Sequence, residues 1–375
     1  MKFRIPVAEP LLGEEEKKAV IDVMESGRIT AGERVAEFEE RIAKYLGRKY
    51  AIACSSGTCA NEIAIMSLFQ PNMQDLISSG RLIRGAVPCC TSVAVSNPLL
   101  YARVTPNFID LDPKLCIDAT KLEDYQKNNF ILTVHAYGQY GEKFDDLLDF
   151  CRAWHIPLLE DTCVALGSEH RGEKLGSFGV ASTLSFYANK LLVAGEAGMV
   201  LTDEERIADY CRRYSNHGRK KSIYHEEWFY TQLGRNAKLT DLEAAIGLAQ
   251  FEKIGRFIDA RKKIAGRLYD VVKGDPRFLS YVPSSGEVPW SFWIANLDGT
   301  VDMREKSMTL QMKYGIETRP TLPILPWLPI YNMGGRYPMG EASQNGFMVS
   351  CSPALLERGD LPFLGNSLKT VLDVS

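Results

Sequence analysis

Apolar residues along the first half of the chain alternate between two spacings. Val35, Phe38, Ile42 and Leu46 recur at helical intervals, Tyr50 to Cys54 is a short apolar run of strand length, and Thr58 to Phe69 returns to a helical pattern. Further apolar runs at Val104 to Ile109, Phe130 to His135, Ile156 to Leu159, Thr183 to Tyr187 and Met199 to Leu201 end in turn signals or polar residues, which predicts core strands. Strands alternating with helices predict an α/β fold with a mainly parallel sheet. In such sheets ligands gather beyond the carboxyl ends of the strands, so the residues that follow these runs carry the most information.

From Thr240 to Val272 the pattern is almost continuously helical, with Leu242, Ala245, Ile246, Leu248, Ala249 and Phe251 followed by Ile254, Phe257, Ile264 and Leu268. A helix of that length commonly bridges domains. Gly274-Asp275-Pro276 and the Pro-rich stretch Val282 to Pro289 then mark a loop-rich passage into a smaller unit. The expected division is a large domain with an N-terminal arm over residues 1–250 and a small C-terminal domain over 251–375. No internal repeat or low-complexity segment interrupts this plan.

Composition agrees with a globular chain: 375 residues, 45% apolar and 24% charged. The 44 basic and 47 acidic residues leave a net charge of -3 without a basic stripe, so nucleic acid is not an expected partner. No apolar run is long enough to span a bilayer, and Met1-Lys2-Phe3-Arg4-Ile5-Pro6 lacks a signal core, so the expected location is the cytoplasm, with no membrane partner. Nine cysteines without metal-ligand spacing are read as reduced thiols, and no metal is expected.

Three places carry candidate chemistry. Ser55-Ser56-Gly57-Thr58-Cys59-Ala60 joins a predicted strand to a helix, which is either an anion cradle of free N–H groups or an ordinary N-cap. Glu160-Asp161 ends a strand, where a carboxylate can hold a protonated pyridine nitrogen or simply cap the next helix. Ser185-Phe186-Tyr187-Ala188-Asn189-Lys190 leads into the glycine turn Gly195-Glu196-Ala197-Gly198, so Lys190 either enters the ligand crevice or snorkels over a turn. A lysine that attacks an aldehyde must first be deprotonated, through burial or nearby positive charge.

The order and context of these motifs resemble the DegT/DnrJ/EryC1/StrS aminotransferases. The likeness is carried by Gly27 to Tyr45, Ser55 to Ala60, Tyr137-Gly138-Gln139, Glu160-Asp161, Ser185 to Lys190, Asn216-His217-Gly218, Leu239 to Glu252 and Glu317-Thr318-Arg319-Pro320. It implies a fold-type I, aspartate aminotransferase-like enzyme dependent on pyridoxal 5'-phosphate, with pyridoxamine 5'-phosphate as its intermediate form. Its architecture would be a mainly parallel seven-stranded sheet between helices plus a small C-terminal α+β domain. The resemblance makes Lys190 the Schiff-base lysine and Asp161 the pyridine-nitrogen partner. It assigns Gly57, Thr58, Cys59 and Ser185 to the phosphate cradle and Asn236 to a neighbouring subunit's phosphate site, which implies a homodimer with shared active sites. Glu196 and Arg319 are substrate candidates, each with a structural alternative, turn capping and pairing with Glu317 respectively. The implied reaction moves an amino group from L-glutamate or L-glutamine to a keto group of a sugar nucleotide or a related cyclitol or natural-product ketone.

Four positions depart from the family pattern. Ser92 replaces the aromatic residue that stacks on the cofactor ring, Val164 replaces a Gln or Glu near the ring hydroxyl, Pro326 stands where a substrate histidine is usual, and Lys238 replaces an arginine. Two other functions therefore remain: a cofactor-dependent sugar dehydratase, whose relatives carry histidine in place of Lys190, and a catalytically silent regulatory or scaffolding homologue. Among the histidines, His135 and His217 are read as structural, and His155, His170 and His225 form no metal set.

Overall fold

The near-continuous apolar runs fold as strands buried on both faces, as parallel sheets between helices require. The structure, a computed structural model, describes residues 2–69, 82–122, 128–221 and 228–374. Its central sheet contains β1 (Tyr50–Cys54), β2 (Ile83–Pro88), β3 (Val104–Ile109), β4 (Phe130–Val134), β5 (Leu158–Asp161), β6 (Ala181–Ser185) and β7 (Gly198–Thr202). Their order across the sheet is β1-β7-β6-β5-β4-β2-β3. β7 runs antiparallel to both its neighbours, and the remaining adjacent pairs are parallel. The carboxyl ends of β1, β5 and β6 therefore lie along one edge.

Two predicted strands coincide with β1 and β3, while the others shift by up to two residues. β2 has no counterpart in the apolar pattern because Arg84 and Gly85 interrupt it. Gly85 is required there, since a Cβ would lie 2.5 Å from the Phe130 ring on the neighbouring strand.

Helices α1 (Glu14–Ser26), α2 (Glu33–Leu46), α3 (Gly57–Ser67), α4 (Val93–Tyr101), α5 (Phe144–Trp154) and α6 (Glu205–Tyr214) flank the sheet. The periodicity of α2 is reproduced directly, with Phe38, Ile42 and Leu46 buried. Phe38 meets Phe186 with ring centroids 4.8 Å apart, joining α2 to the segment that leads to Lys190.

The long helix expected from Thr240 to Val272 is two helices, α7 (Asp241–Phe251) and α8 (Ile254–Val272). Thr240 caps α7 in a reciprocal capping box with Glu243. At the break, Lys253 leaves helical geometry with φ -103° and ψ 5°. Its amine bonds the buried Glu16 carboxylate of α1 at 2.5 Å, and Gln250 reaches the same carboxylate at 2.8 Å. A tertiary ion pair of this kind leaves the apolar periodicity on both sides intact, which is why the sequence reads as one helix.

Beyond α8, β8 (Leu279–Ser280), β9 (Ser291–Ala295), β10 (Arg319–Pro320) and β11 (Gly346–Ser350) form an antiparallel sheet in the order β8-β9-β11-β10. Helices Met303–Tyr314 and Leu361–Leu372 accompany it, giving the α+β character expected of the C-terminal part. The N-terminal segment runs beside this sheet. Ile5 is fully buried and exchanges backbone hydrogen bonds with Gly315 and Glu317, and Arg4 bonds Asp360 at 2.9 Å.

Ile5→Ala should therefore lower stability by about 2–4 kcal/mol, read as a lower urea midpoint at unchanged slope.

Candidate active site

The turn between β1 and α3 has the geometry that an anion site needs. Ser56 caps α3, accepting the Cys59 amide on its hydroxyl at 3.2 Å. The amides of Gly57 and Thr58 precede the first intrahelical bond and have no partner among the described residues. Close packing fixes this turn. A Cβ on Gly57 would lie 2.7 Å from Ser185 Cβ and 3.1 Å from Cys163 Sγ, so the absent side chain is what lets the helix start approach the end of β6. Gly198 is equally constrained, since its Cβ would meet the Ser56 carbonyl at 2.1 Å.

Asp161 is the last residue of β5 and is 3% exposed. One carboxylate oxygen accepts from Asn61 Nδ2 at 2.8 Å and the other from the Cys163 amide at 2.9 Å. Asn61 is held in turn by the Thr183 hydroxyl, 2.7 Å from its side-chain oxygen. The neighbouring Glu160 points to the other face, where His135 Nε2 bonds it at 2.9 Å and the amides of Gly176, Phe178 and Gly179 donate at 2.9, 2.8 and 2.7 Å. Burial alone would push the Glu160 carboxyl up, but His135 and these amides hold it below its ordinary value. Alternation along one strand thus separates the roles of the two acids: Glu160 anchors the loop after β5, and Asp161 opens toward the ligand edge.

Lys190 lies in the loop after β6, with its amine 5.1 Å from the centroid of the Trp290 ring. Burial lowers its pKa, and the charge of Arg261 lowers it further, while Cys163 and Asp161 oppose the shift.

Gly57, Thr58, Asp161, Ser185, Lys190 and Glu196 line one cavity of about 370 Å³. That volume lies within the usual range for a small-molecule site. Three other candidates lie outside it. Cys59 is half-buried and uses its amide on the Ser56 cap. Asn236 is exposed, its side-chain oxygen bonded by Lys238 at 2.5 Å. Arg319 is exposed on β10 and pairs with Glu317 at 2.7 Å, the structural alternative open in the sequence. The amine, the carboxylate and the cradle meet in one cavity, so the residues present fit pyridoxal phosphate.

At the departures, Ser92 caps α4 by accepting the Ala94 amide at 3.2 Å, and Val164 presents an apolar face to the cavity. Pro326 is buried in the 3-10 turn Leu325–Trp327. Tyr137, Tyr187 and Trp290 bring aromatic rings to the cavity from elsewhere. Sequence reasoning missed Asn61 and Trp290. Asn61 lies one helical turn after Gly57 and faces the same way, a signal available in the spacing. Trp290 comes from a distant segment, and no local pattern points to it.

His135 bonds Glu160 through Nε2, His217 is exposed at φ 61°, and His225 lies outside the described residues. All nine cysteines are free thiols. Among the described residues no group of three or more His, Cys, Asp or Glu side chains is placed to hold a metal, and no helix is long and apolar enough to cross a membrane.

Comparison with known proteins agrees with this geometry. Residues 10–344 match the DegT/DnrJ/EryC1/StrS aminotransferase family. The chain belongs to this family. It is 31% identical over 335 residues to GDP-perosamine synthase of Caulobacter vibrioides, covering 88% of this chain and 87% of that protein. Among solved structures, Helicobacter pylori PseC, an aminotransferase involved in the biosynthesis of pseudoaminic acid, superposes with a TM-score of 0.89 at 24% identity over the whole of both chains. The E. coli GDP-4-keto-6-deoxy-D-mannose-3-dehydratase with bound hydrated PLP does so with a TM-score of 0.88 at 25% identity, covering 98% of this chain and all of the other. The fold is that of the fold-type I enzymes, and the cofactor is pyridoxal phosphate.

A carboxyl whose native pKa is lowered stabilises the fold above its unfolded value of 4.5, and that contribution fades as pH falls toward the lower native value. Glu160→Gln should cost about 1–3 kcal/mol at pH 7 and flatten the loss of stability below pH 4.5, measured by urea unfolding from pH 3 to 7.

Proposed function

We propose that this sugar aminotransferase moves the amino group of L-glutamate or L-glutamine to the keto carbon of a nucleotide-linked sugar or a related cyclitol ketone. The observation that carries the reading is the convergence of Lys190, Asp161 and the α3 amino terminus on one cavity. Pyridoxal phosphate, when bound, supplies an aldehyde that takes up the donor's amino group and a protonated ring that withdraws electrons from the reacting carbon.

The chain's own groups would do the rest. The amides of Gly57 and Thr58, the α3 dipole and the Ser185 hydroxyl receive the phosphate. Asp161, oriented by Asn61 and the Cys163 amide, would pair with the ring nitrogen. Lys190 holds the cofactor covalently between turnovers and, once displaced, carries a proton between the two reacting carbons. Its lowered pKa serves both tasks, because only a neutral amine attacks a carbonyl or accepts a proton. Retention of Lys190 supports amino transfer over dehydration, since the dehydrating relatives place histidine there. Glu196 lines the cavity without a partner among the described residues and is available to a substrate hydroxyl or amine.

The exposed Asn236, fixed by Lys238 outside its own chain's cavity, supports a homodimer in which each copy completes the other's phosphate site. Nine free thiols support a reducing, cytoplasmic location. The helix break at Glu252-Lys253 supports a division into domains over residues 1–250 and 251–375.

Wild-type protein with pyridoxal phosphate should show a visible absorbance band that Lys190→Ala lacks. L-glutamate or L-glutamine should convert the band to the pyridoxamine form. A wild type without the band would sink the enzyme reading. Gly57→Ala, whose new methyl collides with Ser185, should weaken cofactor binding by roughly tenfold or more, measured by titrating that band.

A further inference from the structure

Arg261 is a buried cation without a counter-charge. It lies on α8, is 4% exposed, and has no carboxylate within ion-pair distance among the described residues. Its Nη1 donates to the carbonyls of Trp290 at 2.5 Å and Pro289 at 3.4 Å, its Nη2 donates to the Lys190 carbonyl at 2.9 Å, and Nε has no partner among the described residues. Burial pulls the guanidinium down to about 10, which leaves it protonated at neutral pH.

Burying an unpaired charge is costly, and apolar side chains of similar volume often serve stability better, so packing alone does not account for arginine here. The carbonyls it joins give a reason. Trp290 is the aromatic wall 5.1 Å from the Lys190 amine, and its indole N–H donates to the Asn189 carbonyl at 2.9 Å. The three bonds close a ring: Arg261 to Lys190, Arg261 to Trp290, and Trp290 to Asn189.

We propose that Arg261 is the positioning residue for Lys190, clamping the Asn189-Lys190 turn to Trp290 and setting an unpaired positive charge behind the amine. The proposal rests on Lys190 being the cofactor's lysine. Asp161 and Cys163 face the amine from the end of β5 and favour its charged form, while Glu196, Tyr137 and Tyr187 line the same cavity. Arg261 is the neighbouring cation that opposes them.

The test uses cofactor-free protein. The rate at which acetic anhydride labels Lys190 is followed against pH by mass spectrometry of its peptide, in wild type, Arg261→Gln and Arg261→Lys. Removing the charge in Arg261→Gln should raise the Lys190 midpoint by about one pH unit, and an unmoved midpoint in a variant with native circular dichroism overturns the electrostatic role. Arg261→Lys keeps the charge but lacks a fork that spans two carbonyls, so its midpoint should stay while the rate above the midpoint rises severalfold as the turn loosens. An unchanged rate there overturns the clamp, and this variant decides alone if Arg261→Gln does not fold. Borohydride reduction of wild type loaded with pyridoxal phosphate, followed by peptide mapping, tests the underlying reading separately. Cofactor found on another lysine would overturn that reading and leave the titration of Lys190 standing as measured.

Discussion

The chain of hydrogen bonds from Thr183 to Asn61 to Asp161 is what the rest of the site depends on. Thr183 belongs to β6, Asn61 to α3 and Asp161 to β5, so one buried asparagine fixes three elements relative to each other. Both functional atoms of Asn61 are used within this chain, the oxygen as acceptor and the nitrogen as donor, which leaves one orientation of the amide that satisfies both. The same contacts set the height of α3 over the sheet. Its amino terminus can come close enough to use only because Gly57 has no side chain to strike Ser185.

Charge in the cavity follows from what burial permits. The Asp161 carboxylate accepts donors on both of its oxygens, whereas the Lys190 amine lies against an indole ring and the carbonyl of the same residue is held by an arginine. Burial and the charge of Arg261 push the base toward its neutral form, while the acid keeps both oxygens hydrogen-bonded. Separated roles of this kind are common in sites that move protons near neutral pH.

Much of this was legible in the residues themselves. Strand ends at Asp161 and Ser185 and the small-residue turn at Gly57 locate the ligand edge, because apolar runs followed by polar residues mark where a buried strand leaves the core. What stayed hidden has physical causes. β2 carries Arg84 and Gly85, and its fit depends on the Phe130 ring of another strand. The division of α7 from α8 depends on Glu16, a residue far away in the chain. Trp290 and Arg261 join the site only through folding, and the partnership of Arg319 with Glu317 is a choice between acceptors that spacing leaves open.

The reversed direction of β7 has one more consequence. Parallel neighbours need a crossover that carries the chain back across a face of the sheet, but β6 and β7 are antiparallel and need only a loop at the ligand edge. Residues 186–197, Lys190 among them, therefore belong to a connection with no helix to build, pinned to the α2 layer by Phe186, Leu192 and Ala194. A single side chain in this connection can be exchanged while the pairing of the strands beneath it keeps its register. The buried members of the connection hold the hairpin to the core, and the exposed or half-buried residues between them, from 187 to 191, are the ones free to vary without disturbing the strands beneath.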